Sequence, residues 1–150
     1  MVSTMKIAIA SDHGGFQLKE QIKNLLDSMK ISYEDLGAHG TDAVDYPDYA
    51  TLVAKKVQAG GRGILCCGTG IGMSISANKF KGVRAALCHD EVTARLSREH
   101  NDSNILVLGG RLAYTPEEIR SMVEAWVNTS YEGGRHQKRL EKIQILEGME

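Results

Sequence analysis

Cysteine is scarce in this 150-residue chain, and its three cysteines show no spacing typical of crosslinks or metal sites. Cys66 and Cys67 are adjacent, Cys88 stands apart, and no Cys-x-x-Cys pair occurs. An odd number of cysteines without such spacing argues against a disulfide framework and against a zinc site. We therefore expect the protein in a reducing compartment, the cytoplasm.

The chain also lacks long apolar runs and an excess of charge of one sign. No apolar stretch approaches the ~20 residues of a membrane span, and Ile7–Ala10 is too short for a signal-peptide core. The formal net charge is −1, which gives no reason to expect nucleic acid or a membrane surface as a partner. We interpret residues 1–4 as a short leader before a second start at Met5. The length then suits one domain, residues 5–150.

Apolar strand-like runs alternate with helical periodicity along the whole chain. This alternation predicts an α/β fold with a parallel, doubly wound sheet, in which ligands bind outside the carboxyl ends of the strands. The second strand is half polar and is expected at an edge. The expected strands are 5–10, 31–37, 62–67, 83–88 and 104–110, and the expected helices are 16–29, 47–58, 71–79, 90–100, 115–127 and 135–146.

The stretch GILCCGTGIG, residues 63–72, runs from the third expected strand into a glycine-rich turn. Such turns often hold anions on backbone N–H groups, but this one has no P-loop lysine, and Met73 replaces the third glycine of a dinucleotide fingerprint. Cys67 ends its strand where a helix begins, a position that lowers the pKa of a thiol. Cys67 is therefore a candidate reactive group, whereas Cys66 and Cys88 are expected to be small buried hydrophobes.

Other polar residues follow the strands and should collect at the same edge of the sheet. They are Asp12, His13, Tyr46, Thr69 and Arg111, together with the loop glycines. Asp12 has a second interpretation, because an aspartate here can simply cap the first helix.

Arg135 and Arg139 form a second signal near the start of the last helix. A spacing of four residues places them on one helix face. Cations at a helix N-terminus oppose its dipole, so a purely structural helix would favour acids there. Paired guanidinium groups suit a phosphate, although a solvated basic face is the alternative.

Five stretches resemble the type B ribose-5-phosphate isomerases, within the wider ribose/galactose isomerase family. They are SDHGG, DYPDYA, CCGTGIGMSISANKFKGVRAALCHD, SREHNDSNILVLGGR and YEGGRHQKRLEKI. The resemblance covers nearly the whole chain from Met5. It implies a single-domain Rossmann-like α/β/α sandwich with a five-stranded parallel sheet. It also implies an aldose–ketose isomerase that uses no metal or other cofactor and works as a homodimer with shared active sites, or as a tetramer.

The same resemblance implies roles for individual residues. Cys67 would be the proton-transferring base, Thr69 its helper and His100 the ring-opening group, with Asp12 completing the catalytic set. One branch of the family instead uses a glutamate in the loop, where this chain has Ile71, which cannot take a proton. The residues expected to bind substrate are His13, Tyr46, Gly68, Gly70, Ile71, Gly72, Asn101, Arg111, Arg135 and Arg139, with phosphate on His13 and the arginines.

The expected reaction interconverts ribose 5-phosphate and ribulose 5-phosphate through an enediolate. It needs a base beside C1 and C2 and fixed donors at the oxygen where charge develops, here the N–H groups of residues 68–72. Isomerisation of allose or galactose 6-phosphate is the alternative reaction. A sugar-phosphate sensor without catalysis is the alternative from another class.

His100 precedes the fifth expected strand and so belongs to the amino edge of the sheet, whereas Cys67 belongs to the carboxyl edge. A strand of five residues separates these edges by ~16 Å. One subunit cannot easily join the two residues, but a two-fold partner can. We therefore predict that His100 and Asn101 act in the partner's site.

Overall fold

A computed structural model describes residues 6–148, and the expected leader at 1–4 lies outside this range. The strands form one parallel sheet in the order β2-β1-β3-β5-β4, with β2 at an edge as expected. They are β1 (Lys6–Ser11), β2 (Ser32–Asp35), β3 (Arg62–Cys67), β4 (Ala85–Leu87) and β5 (Ile105–Gly109). The helices are α1 (Phe16–Ser28), α2 (Tyr46–Gln58), α3 (Ile71–Ala77), α4 (Glu91–Asn101), α5 (Pro116–Asn128) and α6 (Gln137–Glu147).

Helices cover both faces of the sheet, because successive side chains of a buried strand point to opposite faces. Ile64 and Cys66 of β3 pack in a core with α1, α4 and α5. Leu65 and Cys67 pack in a second core with α2 and α3. The expected single-domain α/β/α sandwich with a five-stranded parallel sheet is confirmed. The two adjacent thiols lie on opposite sides of the sheet.

The helix ends follow the expected chemistry with one exception. Thr115 caps α5 in a capping box, and proline occupies the first turn of both α2 and α5. The expected last helix from Arg135 is wrong at its start, because a 3₁₀ turn covers Gly134–His136 and α6 begins at Gln137. The left-handed Gly133 precedes this turn, and Gly134, also left-handed, begins it. Arg135 is therefore in the turn and Arg139 in the first turn of α6. None of the helices within 6–148 is long and apolar enough to cross a bilayer.

A buried ion pair joins α1 to the end of the edge strand β2. The fully buried ammonium of Lys19 lies 2.7 Å from Asp35 Oδ1 and 2.6 Å from the carbonyl oxygen of Ala38. Lys23 donates to the other carboxylate oxygen at 2.8 Å. Burial raises the pKa of Asp35, but the hydrogen bonds from both lysines outweigh it and bring the pKa down to about 2. These contacts hold the segment that leads towards Tyr46 and α2.

Candidate active site

The loop between β3 and α3 carries the candidate base. The side chain of Cys67 is buried, and its Sγ accepts a hydrogen bond from the N–H of Gly70 at 3.0 Å. Gly70 has a left-handed backbone with φ of 85°, which L residues with a side chain rarely adopt. Thr69 Oγ1 accepts from the N–H of Ile71 at 3.2 Å. The loop therefore directs one backbone donor at the thiol and the next one at the Thr69 hydroxyl.

The other two thiols differ from Cys67 in their surroundings. Burial, followed by the neighbouring Cys67, raises the pKa of Cys66 far above that of a free thiol. Burial also raises the pKa of Cys88, to about 11. Neither thiol can supply a thiolate near neutral pH, because the thiolate is the reactive form. Their expected role as small buried groups fits this chemistry.

Arg111 lies across the glycine loop because the segments after β3 and β5 are joined. Gly110 donates to the carbonyl of Cys67 at 2.6 Å, and Arg111 donates to that of Gly68 at 2.8 Å. A Cβ at Gly68 would lie 3.0 Å from Arg111 Nη1, and one at Gly14 would lie 3.2 Å from its Cζ. Both glycines thus leave the space that the guanidinium occupies.

Asp12 and His13 follow β1 on the other side of Cys67. Asp12 is buried, and its Oδ1 accepts from the N–H of Gly15 at 3.0 Å, so its capping interpretation is correct for the 3₁₀ turn that precedes α1. His13 Nδ1 accepts from the N–H of Val44 at 3.2 Å. In a neutral imidazole the proton then sits on Nε2, which can donate to an anion.

Tyr46 reaches the glycine loop from the start of α2. A Cβ at Gly72 would lie 2.6 Å from two carbons of the Tyr46 ring, so the glycine permits this contact. Tyr46 is 40% exposed, and Ile71 is 53% exposed. Both side chains therefore border the open side of the loop.

Ten of the expected site residues meet at the carboxyl edge of the sheet. They are Asp12, His13, Tyr46, Cys67, Gly68, Thr69, Gly70, Ile71, Gly72 and Arg111. A buried thiol, bare amides, an imidazole and a guanidinium converge there. Together these groups suit a small anionic substrate with an exchangeable proton.

The remaining four expected residues lie at the amino edge. They are His100, Asn101, Arg135 and Arg139. Asn101 ends α4 three residues before Asn104, whose carbonyl accepts from Gly63 at the start of β3. Five residue steps lead from Asn104 to Gly109, the Cα partner of Cys67, which is ~16 Å. The structure of one chain therefore divides the expected site into two groups.

The last 3₁₀ turn belongs to the amino-edge group because it packs against the end of α4. The rings of His100 and His136 are stacked, with centroids 4.2 Å apart. The N–H of Glu132 donates to the carbonyl of Glu99 at 3.0 Å. Neither His136 nor Glu132 was among the site residues expected from the sequence. His136 directly follows the expected site residue Arg135 in the GGRH stretch. This adjacency is the feature of the sequence that could have identified His136.

Comparison with known proteins shows the family to which the chain belongs. The family model described as Ribose/Galactose Isomerase matches residues 7–143. The chain belongs to this family. Ribose-5-phosphate isomerase B of Escherichia coli is 47% identical over 145 residues, which cover 95% of this chain and 96% of the relative.

Solved structures of the family agree along nearly the whole length. The ribose-5-phosphate isomerase B of Clostridium thermocellum aligns with a TM-score of 0.93 and 46% identity, covering 96% of this chain and 98% of that one. The Mycoplasma genitalium enzyme with bound ribulose-5-phosphate aligns with a TM-score of 0.93 and 44% identity, covering 98% and 99%. The expected resemblance to the type B members of the ribose/galactose isomerase family is confirmed.

Proposed function

We propose that this protein is a metal-independent isomerase that interconverts D-ribose 5-phosphate and D-ribulose 5-phosphate in the cytoplasm. Residues 5–150 would form the sugar-phosphate isomerase domain. The observation that carries the proposal is the buried Cys67 thiol, which faces a bare glycine loop and receives the Gly70 N–H at 3.0 Å. The family relatives named as ribose-5-phosphate isomerase B support the choice of substrate.

In the proposed mechanism Cys67 moves one proton between two carbons. The Cys67 thiolate removes the proton from C2 of the open-chain aldose, and the electron pair passes to the carbonyl oxygen as an enediolate forms. The thiol then delivers the proton to C1, and Thr69 passes a proton between O1 and O2. The N–H of Gly70 stabilises the thiolate, since hydrogen bonds to a charged form favour it.

Fewer backbone N–H groups are available as oxyanion donors than residues 68–72 contain. The N–H of Gly70 serves Cys67, and that of Ile71 serves Thr69 Oγ1. The amides of Gly68, Thr69 and Gly72 are then the backbone groups that remain for the enediolate oxygen. Fixed backbone donors of this kind act where charge develops and need no reorganisation.

The substrate phosphate would lie at the far end of the same cleft. His13 offers Nε2–H, because its Nδ1 is engaged by Val44. Arg135 and Arg139 would complete the phosphate site from a second subunit. Binding energy at the remote phosphate then positions the reacting carbons against Cys67.

A shared site requires a homodimer, or a dimer of dimers. His100 and Asn101 would enter the partner's cleft from the amino edge, where His100 opens the furanose ring. The end of α6 supports this assembly, since Ile145 and Leu146 are 63% and 65% exposed. Exposed apolar residues of this kind often mark a protein interface.

The direct test is isomerase activity of the purified protein with EDTA present. We expect turnover of ribose 5-phosphate at a higher kcat/KM than that of allose or galactose 6-phosphate. Cys67→Ala should abolish turnover, and the matched variant Cys66→Ala should keep most of it. Activity in Cys67→Ala, or its loss only in Cys66→Ala, would contradict the assigned base. Binding of sugar phosphate without turnover in the unaltered protein would favour a sensor.

A further inference from the structure

Three potential metal ligands meet at the amino edge, away from the Cys67 of the same chain. His100 lies in the last turn of α4, and Glu132 and His136 lie in the segment that leads into α6. One ligand atom from each residue lies within 4.8 Å of the other two. The rings of His100 and His136 are stacked at 18° to one another. Because the lone pairs of an imidazole lie in its ring plane, one ring must turn before both can bind the same ion.

His136 adds an independent sign of a missing ligand. The residue is only 6% exposed, and its buried Nε2 forms no hydrogen bond with any residue in the described part of the chain. Glu132 Oε1 lies 3.4 Å from this nitrogen without hydrogen-bond geometry. A buried polar atom without a partner costs ~1–3 kcal/mol. A bound group that accepts the Nε2 lone pair would remove this cost.

Two imidazoles and one carboxylate form a ligand set that suits zinc with an open fourth position. Zinc bonds of 2.0–2.2 Å place tetrahedral ligand atoms ~3.4 Å apart, so the cluster must close by ~1–1.5 Å. The exposed Glu132 can move towards the buried His136, and the half-buried His100 can both move and turn its ring out of the stack. Calcium and magnesium are a poorer match, since they prefer all-oxygen sites.

We propose that His100, Glu132 and His136 bind one divalent transition-metal ion of the zinc type, and that the bound ion inhibits isomerisation. The inhibition rests on the proposed function, because the ion would occupy the ring-opening imidazole of His100. The ion is an inhibitor here and takes no part in the proposed proton transfer.

Binding is measured by calorimetry with zinc chloride on the full-length protein, and by the absorption spectrum with cobalt(II). We expect one ion per chain and no thiolate–cobalt charge-transfer band. Glu132→Gln and His136→Gln should bind at least ~10-fold more weakly, since even groups that only support a ligand matter by 10- to 100-fold. The matched control His89→Gln, an exposed histidine at the opposite edge, and Cys67→Ala should bind like the unaltered protein.

Unchanged zinc binding in Glu132→Gln would overturn the site, as would loss of binding in Cys67→Ala. Glu132 is exposed, so its variant should fold even if His136→Gln does not. In the isomerase assay, zinc should inhibit, EDTA should reverse it, and Glu132→Gln should resist it while keeping its rate without zinc. Zinc binding at full activity would overturn the inhibition. Zinc binding by a protein without any isomerase activity would refute the proposed function and leave the metal site standing.

Discussion

Gly70→Ala should destabilise the fold and impair the proposed base. The structure allows the loss of stability to be estimated. The left-handed φ of 85° costs a residue with a Cβ ~1–2 kcal/mol. The new Cβ would also lie 2.5 Å from Leu87 Cδ1 and 3.2 Å from the carbonyl carbon of Leu108. Overpacking of this kind adds ~1–3 kcal/mol. The free energy of unfolding should therefore fall by ~2–5 kcal/mol in total.

Gly82→Ala is the matched control. Gly82 has a similar φ of 81°, but a Cβ there meets nothing within 4 Å. In Gly82→Ala, backbone strain alone should lower the free energy of unfolding, by ~1–2 kcal/mol, and kcat should be unchanged. In Gly70→Ala, relief of the contact moves the N–H away from Cys67 Sγ. A hydrogen bond to a charged group contributes ~1.5–3 kcal/mol, so kcat should fall ~10- to 100-fold.

The assays are urea denaturation and steady-state kinetics on both variants. Adding Leu87→Ala to Gly70→Ala should recover part of the lost stability, because it removes the atom that the new Cβ meets, and the double-mutant cycle measures this coupling. Equal losses of stability and equal kcat in Gly70→Ala and Gly82→Ala would refute the reasoning.

Two further predictions concern charge. The pKa of Asp35 is lowered from 3.8 to about 2, so its ionisation stabilises the fold above pH 4, and that contribution is lost as the pH falls towards 2. This contribution amounts to ~1–2 kcal/mol after solvent screening. Measurement of the free energy of unfolding against pH should show it in the unaltered protein and in the control Glu34→Gln. It should be absent in Asp35→Asn. Arg135→Gln and Arg139→Gln should each raise KM for ribose 5-phosphate ~10-fold or more while Lys138→Gln does not, because hydrogen bonds between charged groups contribute ~1.5–3 kcal/mol. Equal losses on unphosphorylated ribose would indicate a structural role for this segment.

The sheet was predictable because all its strands except β2 are short apolar runs bounded by glycine or polar residues. The half-polar composition of 31–37 placed β2 at an edge, and alternation placed Cys66 and Cys67 on opposite faces. The start of α6 was not predictable from helical spacing alone. The left-handed Gly133 leads there into a tighter turn that begins at Gly134.

The carboxyl-edge half of the site was predictable because parallel strands collect the residues that follow them. Two loop amides donate hydrogen bonds to the side chains of Cys67 and Thr69. These bonds depend on local geometry that the residue types do not specify. The position of Arg135 beside the end of α4 could not be predicted from the sequence either. It depends on the packing of His136 against His100, a contact between residues far apart in the sequence.

The shared active site is the central claim, and complementation between two inactive variants tests it most directly. Cys67→Ala and His100→Asn homodimers should each be nearly inactive. After equal amounts are unfolded and refolded together, half of the dimers should be mixed, and each mixed dimer should hold one intact site. About a quarter of the unaltered activity should then return. No recovery, with subunit exchange proven by mass spectrometry, would show that each site lies within one chain.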